Sequence, residues 1–302
     1  MRKTAVVISS ALLLGLLAAG CGDSNNSAPA ASTAPAESTA PSAASSAAPS
    51  TDAAKYQDGV YYGTVPVDEK TGWQTYAILT VEGGKITKVD WNAFNVNNAG
   101  DLKKKVSEDG KYGLVSKGGA QAEWHEQAAK AEAFLIEKQD PAAITFDAEG
   151  HTDAISGVSV HVNDLVQAAQ AALAAGPAQP GAYKDGGYHV QGEMDANSGW
   201  APTVDLSIAN GNIVAAKFSG VDKDGNDKQQ FSQDGKYGMK EKNPKAQAEW
   251  HEEAIKAQQY YLANQTAAPA FDAEGKTDAI SGVTISVGEY WTLAEKALEG
   301  AK

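Results

Sequence analysis

TVDLSIANGNIVAAKF, residues 203–218, decides the fold class. Val204, Leu206 and Ile208 alternate with polar residues, the period of a strand with one buried face. Asn210-Gly211 then supplies a two-residue hairpin turn, whose two positions need the positive φ that Asn and Gly adopt most readily. A matching hairpin, YAILTVEGGKITKVDW, occupies residues 76–91. Strand-like segments precede the two hairpins at residues 59–67 and 187–193. A long helix follows each, because AQAEWHEQAAKAEAFL at 120–135 recurs as AQAEWHEEAIKAQQYYL at 246–262. Trp124, Ala128, Ala131 and Leu135 fall at i, i+4, i+7 and i+11, one apolar stripe along that helix.

The repetition continues beyond the helix. DGKYG stands at 109–113 and 234–238, and FDAEGHTDAISGVSV at 146–160 returns as FDAEGKTDAISGVTI at 271–285. A C-terminal helix closes each copy. A period of about 125 residues is too long for a solenoid unit and indicates a tandem duplication. Strands followed by segregated helices predict an α+β fold. The expected boundaries are 55–176 for the first domain, an Ala/Gly/Pro linker at 177–182, and 183–302 for the second.

The N-terminus carries a different message. Arg2 and Lys3 precede an apolar run of about a dozen residues, too short for the roughly 20 of a spanning helix. Residues 1–20 therefore read as a secretory signal, and Leu17-Ala18-Ala19-Gly20-Cys21 resembles a bacterial lipobox, with Ala18 where Leu is commoner. Cys21 is the single cysteine, so the chain has no internal disulfide and no Cys-based chemistry in its domains; lipid attachment is its expected role. Residues 21–54 contain Pro29, Pro35, Pro41 and Pro49 and no aromatic residue, the composition of a disordered tether. As a flexible coil it would span roughly 30 Å. Net charge is −13, and loss of Arg2 and Lys3 with the signal brings it to −15. So acidic a chain argues against nucleic acid and against a polybasic grip on anionic lipid.

The repeated nonamer, TDAISGVSV at 152–160 and TDAISGVTI at 277–285, reads as a glycine turn feeding a helix. Ser286 and Glu289 have capping-box spacing, which predicts a helix start near Val287 and places the Thr284 hydroxyl ahead of a helix N-terminus. In the first copy His161 replaces Ser286 and Asp164 stands for Glu289, a weaker cap. The bland reading is a turn and cap only; retention of nearly the whole nonamer in two copies that differ elsewhere weighs against it.

Asp-Ala-Ile-Ser-Gly-Val-Thr at 278–284 resembles the flavinylation motif, Asp-x-x-Ser/Thr-Gly-Ala-Thr, of the FMN-binding domain family. That family includes subunits of sodium-pumping NADH:quinone reductases and of Rnf electron-transport complexes. The resemblance covers about residues 55–302. It implies two tandem homologous FMN-binding domains, with a flavin transferase joining FMN by a phosphoester to Thr284 and, in the first copy, to Ser159. It also implies that Asp153, Ser156, Gly157, Asp278, Ser281 and Gly282 are the positions the transferase reads. Val158 and Val283 replace the family's Ala, and Ser159 replaces its Thr. With the lipobox, the arrangement is similar to extracellular electron-transfer flavoproteins of Gram-positive bacteria. The implied role is a lipid-anchored redox relay at the outer face of the cell membrane, not a self-contained enzyme. It would take electrons from a membrane quinone/NADH dehydrogenase system and pass them to acceptors such as ferric iron.

Other candidates are weaker. Trp124 and Trp250 on the helix stripe, and Trp73 and Trp200 in the matched TGW and SGW turns, are candidates for flavin-ring contact, the latter pair as exposed aromatics; core packing is the alternative for the stripe residues. His125 and His251 sit in Trp-His-Glu on what reads as a solvated helix face, with no His-x-x-x-His nearby. DKDGND at 222–227 has Gly225 at position 4 and Gln233 at position 12, wrong for a calcium loop, and reads as a turn. No nucleophile elbow, P-loop or dinucleotide fingerprint occurs. The rival reading from another class is a non-redox surface lipoprotein that binds a ligand or wall component. Processing of the signal into a peptide pheromone is a third, which leaves the domains' role untouched.

Overall fold

The two hairpin turns form as their residues dictate. Asn210 and Gly211 take φ of 48° and 71°, and Gly83 and Gly84 take 61° and 74°. The computed structural model describes residues 55–302 apart from 244, 245 and 266; the expected signal segment, Cys21 and the tether lie outside the described residues. The first half runs β1 (Gly59–Thr64), β2 (Trp73–Glu82), β3 (Lys85–Asn95), α1 (Lys103–Glu108), α2 (Trp124–Lys138) and α3 (Asn163–Ala175). The second runs β4 (Gly186–Gln191), β5 (Trp200–Ala209), β6 (Asn212–Asp222), α4 (Lys228–Gln233), the short α5 (Met239–Lys242), α6 (Trp250–Asn264) and α7 (Gly288–Glu299). The architecture is mixed α and β, with two three-stranded antiparallel sheets ordered β1-β2-β3 and β4-β5-β6. Each central strand carries a bulge at the same place, Thr80/Val81 and Ser207/Ile208.

One face of each sheet packs on its own helices. Ala77, Leu79, Val81 and Trp91 meet the α2 stripe and Leu165, Ala168 and Ala172 of α3. Trp124, Ala128, Ala131 and Leu135 are all buried, so the stripe read from the sequence faces the core. Gly63 lets β1 touch α3 backbone to backbone: a Cβ there would lie 2.3 Å from the Ala168 carbonyl oxygen. Val204, Leu206, Ile208 and Phe218 do the same work against α6 and α7.

The opposite faces of the sheets pack on each other. Tyr76, Phe94, Ala99 and Leu102 from the first half and Ala209 and Ala215 from the second make a third core. The fully buried Ser207 hydroxyl donates to the Gly100 carbonyl (2.8 Å) and accepts from the Gly100 N–H (2.9 Å), which ties the halves with two bonds. Segment 177–182 is bonded to both: Ala178 N–H donates to Val60 O and Gly181 N–H to Asn210 O.

One expected detail is corrected. Helix α7 starts at Gly288, one residue from the expected start, but Ser286 and Glu289 make no capping box. The Gly275 carbonyl from the FDAEG turn accepts from both Val287 and Gly288 N–H at 2.8 Å, so the first helical donors are already used. In the first half Gly150 O accepts from Val162 N–H (2.7 Å), and His161 is not a cap either.

Candidate functional site

Each nonamer is a surface loop nailed down by its apolar residues. Thr152, Ile155 and Val158 are buried, as are Thr277, Ile280 and Val283. Asp153, Ser156, Gly157 and Ser159 are exposed, as are Asp278, Ser281, Gly282 and Thr284. The loop thus anchors through every third residue and presents the motif positions outward. Val158 and Val283, where the resembled motif has Ala, are among the anchors. The FDAEG turn closes the base, with Asp147 Oδ1 accepting from Glu149 and His151 N–H and Asp272 Oδ1 from Glu274 and Lys276 N–H. Gly157 and Gly282 need glycine: φ is 74° and 72°, and an added Cβ would lie 2.6 Å from the Nζ of Lys130 or Lys256. Those same lysines donate to the glycine carbonyls at 3.3 and 3.2 Å.

Beneath each exposed hydroxyl lies a buried side chain that the sequence reading missed. In the first half Gln127 Oε1 accepts from Ser159 N–H (2.6 Å), Ser159 Oγ (3.2 Å) and Val160 N–H (3.2 Å), while its amide donates to Ala122 O (2.9 Å). In the second, Glu253 replaces it. Glu253 Oε2 accepts from Thr284 N–H (2.6 Å), Thr284 Oγ1 (3.0 Å) and Ile285 N–H (3.1 Å). Both side chains are only 1% exposed. A signal was present: three residues after Trp124 and four before Ala131, Gln127 lies on the apolar stripe. The hydroxyls therefore rest on helix α2 or α6, not on the N-terminus of the next helix.

Beside each loop opens a cavity of about 360 Å³. Trp73, Trp124, Tyr112, Lys103 and Ser159 line the first; Trp200, Trp250, Tyr237, Lys228 and Ser286 line the second. All four tryptophans singled out in the sequence thus converge on the cavities. Trp200, however, is buried and Trp73 half-buried, so neither is the exposed aromatic expected of its turn. Lys103 Nζ lies 4.6 Å from the Trp124 ring centre, 5.1 Å from Tyr112 and 5.8 Å from Trp73. Lys228 repeats this with Trp250 at 4.5 Å, Tyr237 at 5.2 Å and Trp200 at 5.6 Å. Burial pushes both ammonium groups down to about 8. The indole Nε1 of Trp91, a further wall of the first cavity, is buried without a hydrogen-bond partner.

Aromatic walls around a single cation could take a planar ring; the exposed Ser159 hydroxyl is part of the first wall, whereas the second is lined by Ile285 and Ser286 and not by Thr284 itself. The Trp-His-Glu segments play other parts. His125 Nδ1 and His251 Nδ1 lie 2.9 Å from the hydroxyls of buried Ser107 and Ser232, so these histidines are half-buried and partnered and do not form a solvated face. Glu126 and Glu252 complete capping boxes with Glu123 and Glu249. DKDGND is a turn, with Asp222 Oδ1 accepting from Asp224 and Asn226 N–H and Gly225 at φ 80°.

No protein-family model matches the chain, and no curated protein does. A solution structure from Clostridium thermocellum is 48% identical over 39% of this chain and 91% of that one, with a TM-score of 0.32. A crystal structure from Clostridium perfringens is 21% identical over 40% of this chain and 89% of the other, with a TM-score of 0.31.

Proposed function

We propose that the chain is an electron carrier with two tandem homologous FMN-binding domains, residues 55–176 and 183–302, esterified by FMN at Ser159 and Thr284. The observation that carries this reading is an anchored loop with an exposed hydroxyl beside an aromatic-walled cavity, which Ser159 itself lines in the first half and which Ile285 and Ser286, the two residues after Thr284, line in the second. The flavin supplies one- and two-electron chemistry; the protein supplies attachment, orientation and electrostatics. Asp153, Ser156 and Gly157, with Asp278, Ser281 and Gly282, present an exposed address to a flavin transferase. Gln127 and Glu253 hold the acceptor hydroxyls in place. Trp73, Trp124, Trp200 and Trp250 wall the ring and exclude water from it. A covalent bond suits a carrier outside the cell, where a released cofactor would be lost. Lipidation at Cys21 would hold the carrier on the extracellular face, between a membrane quinone/NADH dehydrogenase donor and acceptors such as ferric iron.

The test is co-expression of residues 22–302 with a flavin transferase, followed by denaturation in SDS. Covalent flavin fluorescence and a mass gain of two FMN are expected. Absence of both, with a transferase active on another substrate, overturns the reading and leaves the non-redox surface lipoprotein in its place.

A further inference from the structure

A half-buried cation ordinarily has a carboxylate or several acceptors beside it, because desolvation otherwise favours its neutral form. Lys104 satisfies this, with Nζ 2.6 Å from Glu132 and 2.5 Å from Asp90. Lys103, its neighbour in sequence, does not. Its ammonium faces three aromatic rings, and among the described residues no carboxylate lies within ion-pair range. Lys228 is in the same state. Comparison of the halves separates the two kinds of lysine. Gln229 stands where Lys104 was, and Gln258 where Glu132 was; these amides still hold the Phe218 backbone, through Gln258 Oε1 to its N–H and Gln229 Nε2 to its O. The paired lysine was thus replaceable by a neutral side chain. The unpaired one was kept together with all three rings of its cage.

We infer that Lys103 and Lys228 are counter-charges for a planar ring that becomes anionic on reduction in the two cavities, and that they raise its reduction potential. The inference rests on the flavin reading of those cavities. Uptake of two electrons and one proton leaves a flavin ring with one negative charge, which a nearby ammonium favours over the neutral oxidised form. Asp68, Asp164 and His161 also line the first cavity, and Asp195 and Glu289 the second. Among the described residues neither cavity has another Lys or Arg in its wall. The carboxylates oppose a second negative charge, so the lysine is the group that permits it. The aromatic cage suits this role, since it holds the cation without neutralising it.

The experiment uses the full chain loaded with flavin, in a Ser159→Ala background so that only the Thr284 flavin is read, and in a Thr284→Ala background for the other. Reduction potentials are measured by spectroelectrochemical titration for Lys228→Met and Lys103→Met respectively, with Lys→Arg at each position beside them. The Met variants are expected to shift the reduced-to-oxidised equilibrium about tenfold toward the oxidised form, about 30 mV downward for a two-electron couple. The Arg variants, which keep the charge, should stay near the starting value. Circular dichroism and the FMN mass gain report folding and loading independently. A loaded, folded Met variant with an unmoved potential overturns this inference and leaves the flavin reading standing. Absence of covalent flavin from the unsubstituted chain overturns both. Should a Met variant fail to fold, Lys→Gln at the same position reads the same loss of charge.

Discussion

Ser159 rests on the amide of Gln127, whereas Thr284 rests on the carboxylate of Glu253, although the loops around them are nearly the same. One layer deeper the contrast runs the other way. The first half has the charged trio Asp90, Lys104 and Glu132, and the second has Gln229 and Gln258 at the latter two positions. Amide and carboxylate are almost the same shape, so the Gln127/Glu253 and Glu132/Gln258 swaps keep the bonds their oxygens accept and change the charge, while Gln229 in place of Lys104 changes partners as well. The two halves thus share a frame and differ in charge, which places Ser159 and Thr284 in different fields.

The sharpest way to break the comparison is to remove one hydroxyl at a time. Thr284→Ala and Ser159→Ala should each lose one FMN by intact mass, and the double variant both; a single variant that loses both, or neither, would show that the halves are not equivalent sites. Next comes exchange of the supports. Gln127→Glu turns a carboxylate toward the Ala122 carbonyl, now without its N–H donor, and should destabilise the protein by about 2 kcal/mol in urea unfolding. Glu253→Gln imports the arrangement of the first half and should cost under about 1 kcal/mol. Equal costs would mean that the contrast has no energetic content. Gly157→Ala and Gly282→Ala should each cost about 1–2 kcal/mol, because both glycines hold a positive φ against a lysine.

A last effect is a control that should treat the halves alike. Lys103 and Lys228 titrate at about 8 in the fold because burial disfavours their charge. Between that value and the ordinary lysine value of about 10.4 the unfolded chain binds more protons, so stability rises with pH across that window. Lys→Met at either site should therefore stabilise the flavin-free protein by about 1 kcal/mol at pH 7, with the gain gone near pH 10.5, as thermal melts at the two pH values would read.

Much of this frame is legible in the sequence. Asn210-Gly211 fixed a hairpin because few other dipeptides accept two positive φ values, and the Trp124–Leu135 stripe fixed a helix face. The nonamer stands out because it is written twice. Its support does not. Gln127 and Glu253 are polar residues among other polar residues, and a search for apolar periodicity passes over them even though their spacing from Trp124 and Trp250 puts them on the buried face. The capping box at Ser286 misled for a complementary reason: local spacing cannot reveal that Gly275, eleven residues earlier, has already taken the helix's first donors. Lys103 and Lys228 were invisible as a pair because a lysine carries no sequence mark of the rings that will surround it.

The back-to-back sheets make the two halves hard to separate. Tyr76, Phe94 and Leu102 face the other half, and Ser207 closes its two hydrogen bonds only across the seam. Cut at residues 177–182, either half would carry a wet apolar face and an orphaned set of polar groups. The seam therefore makes the two halves one packed object, whether or not both cavities do the same task.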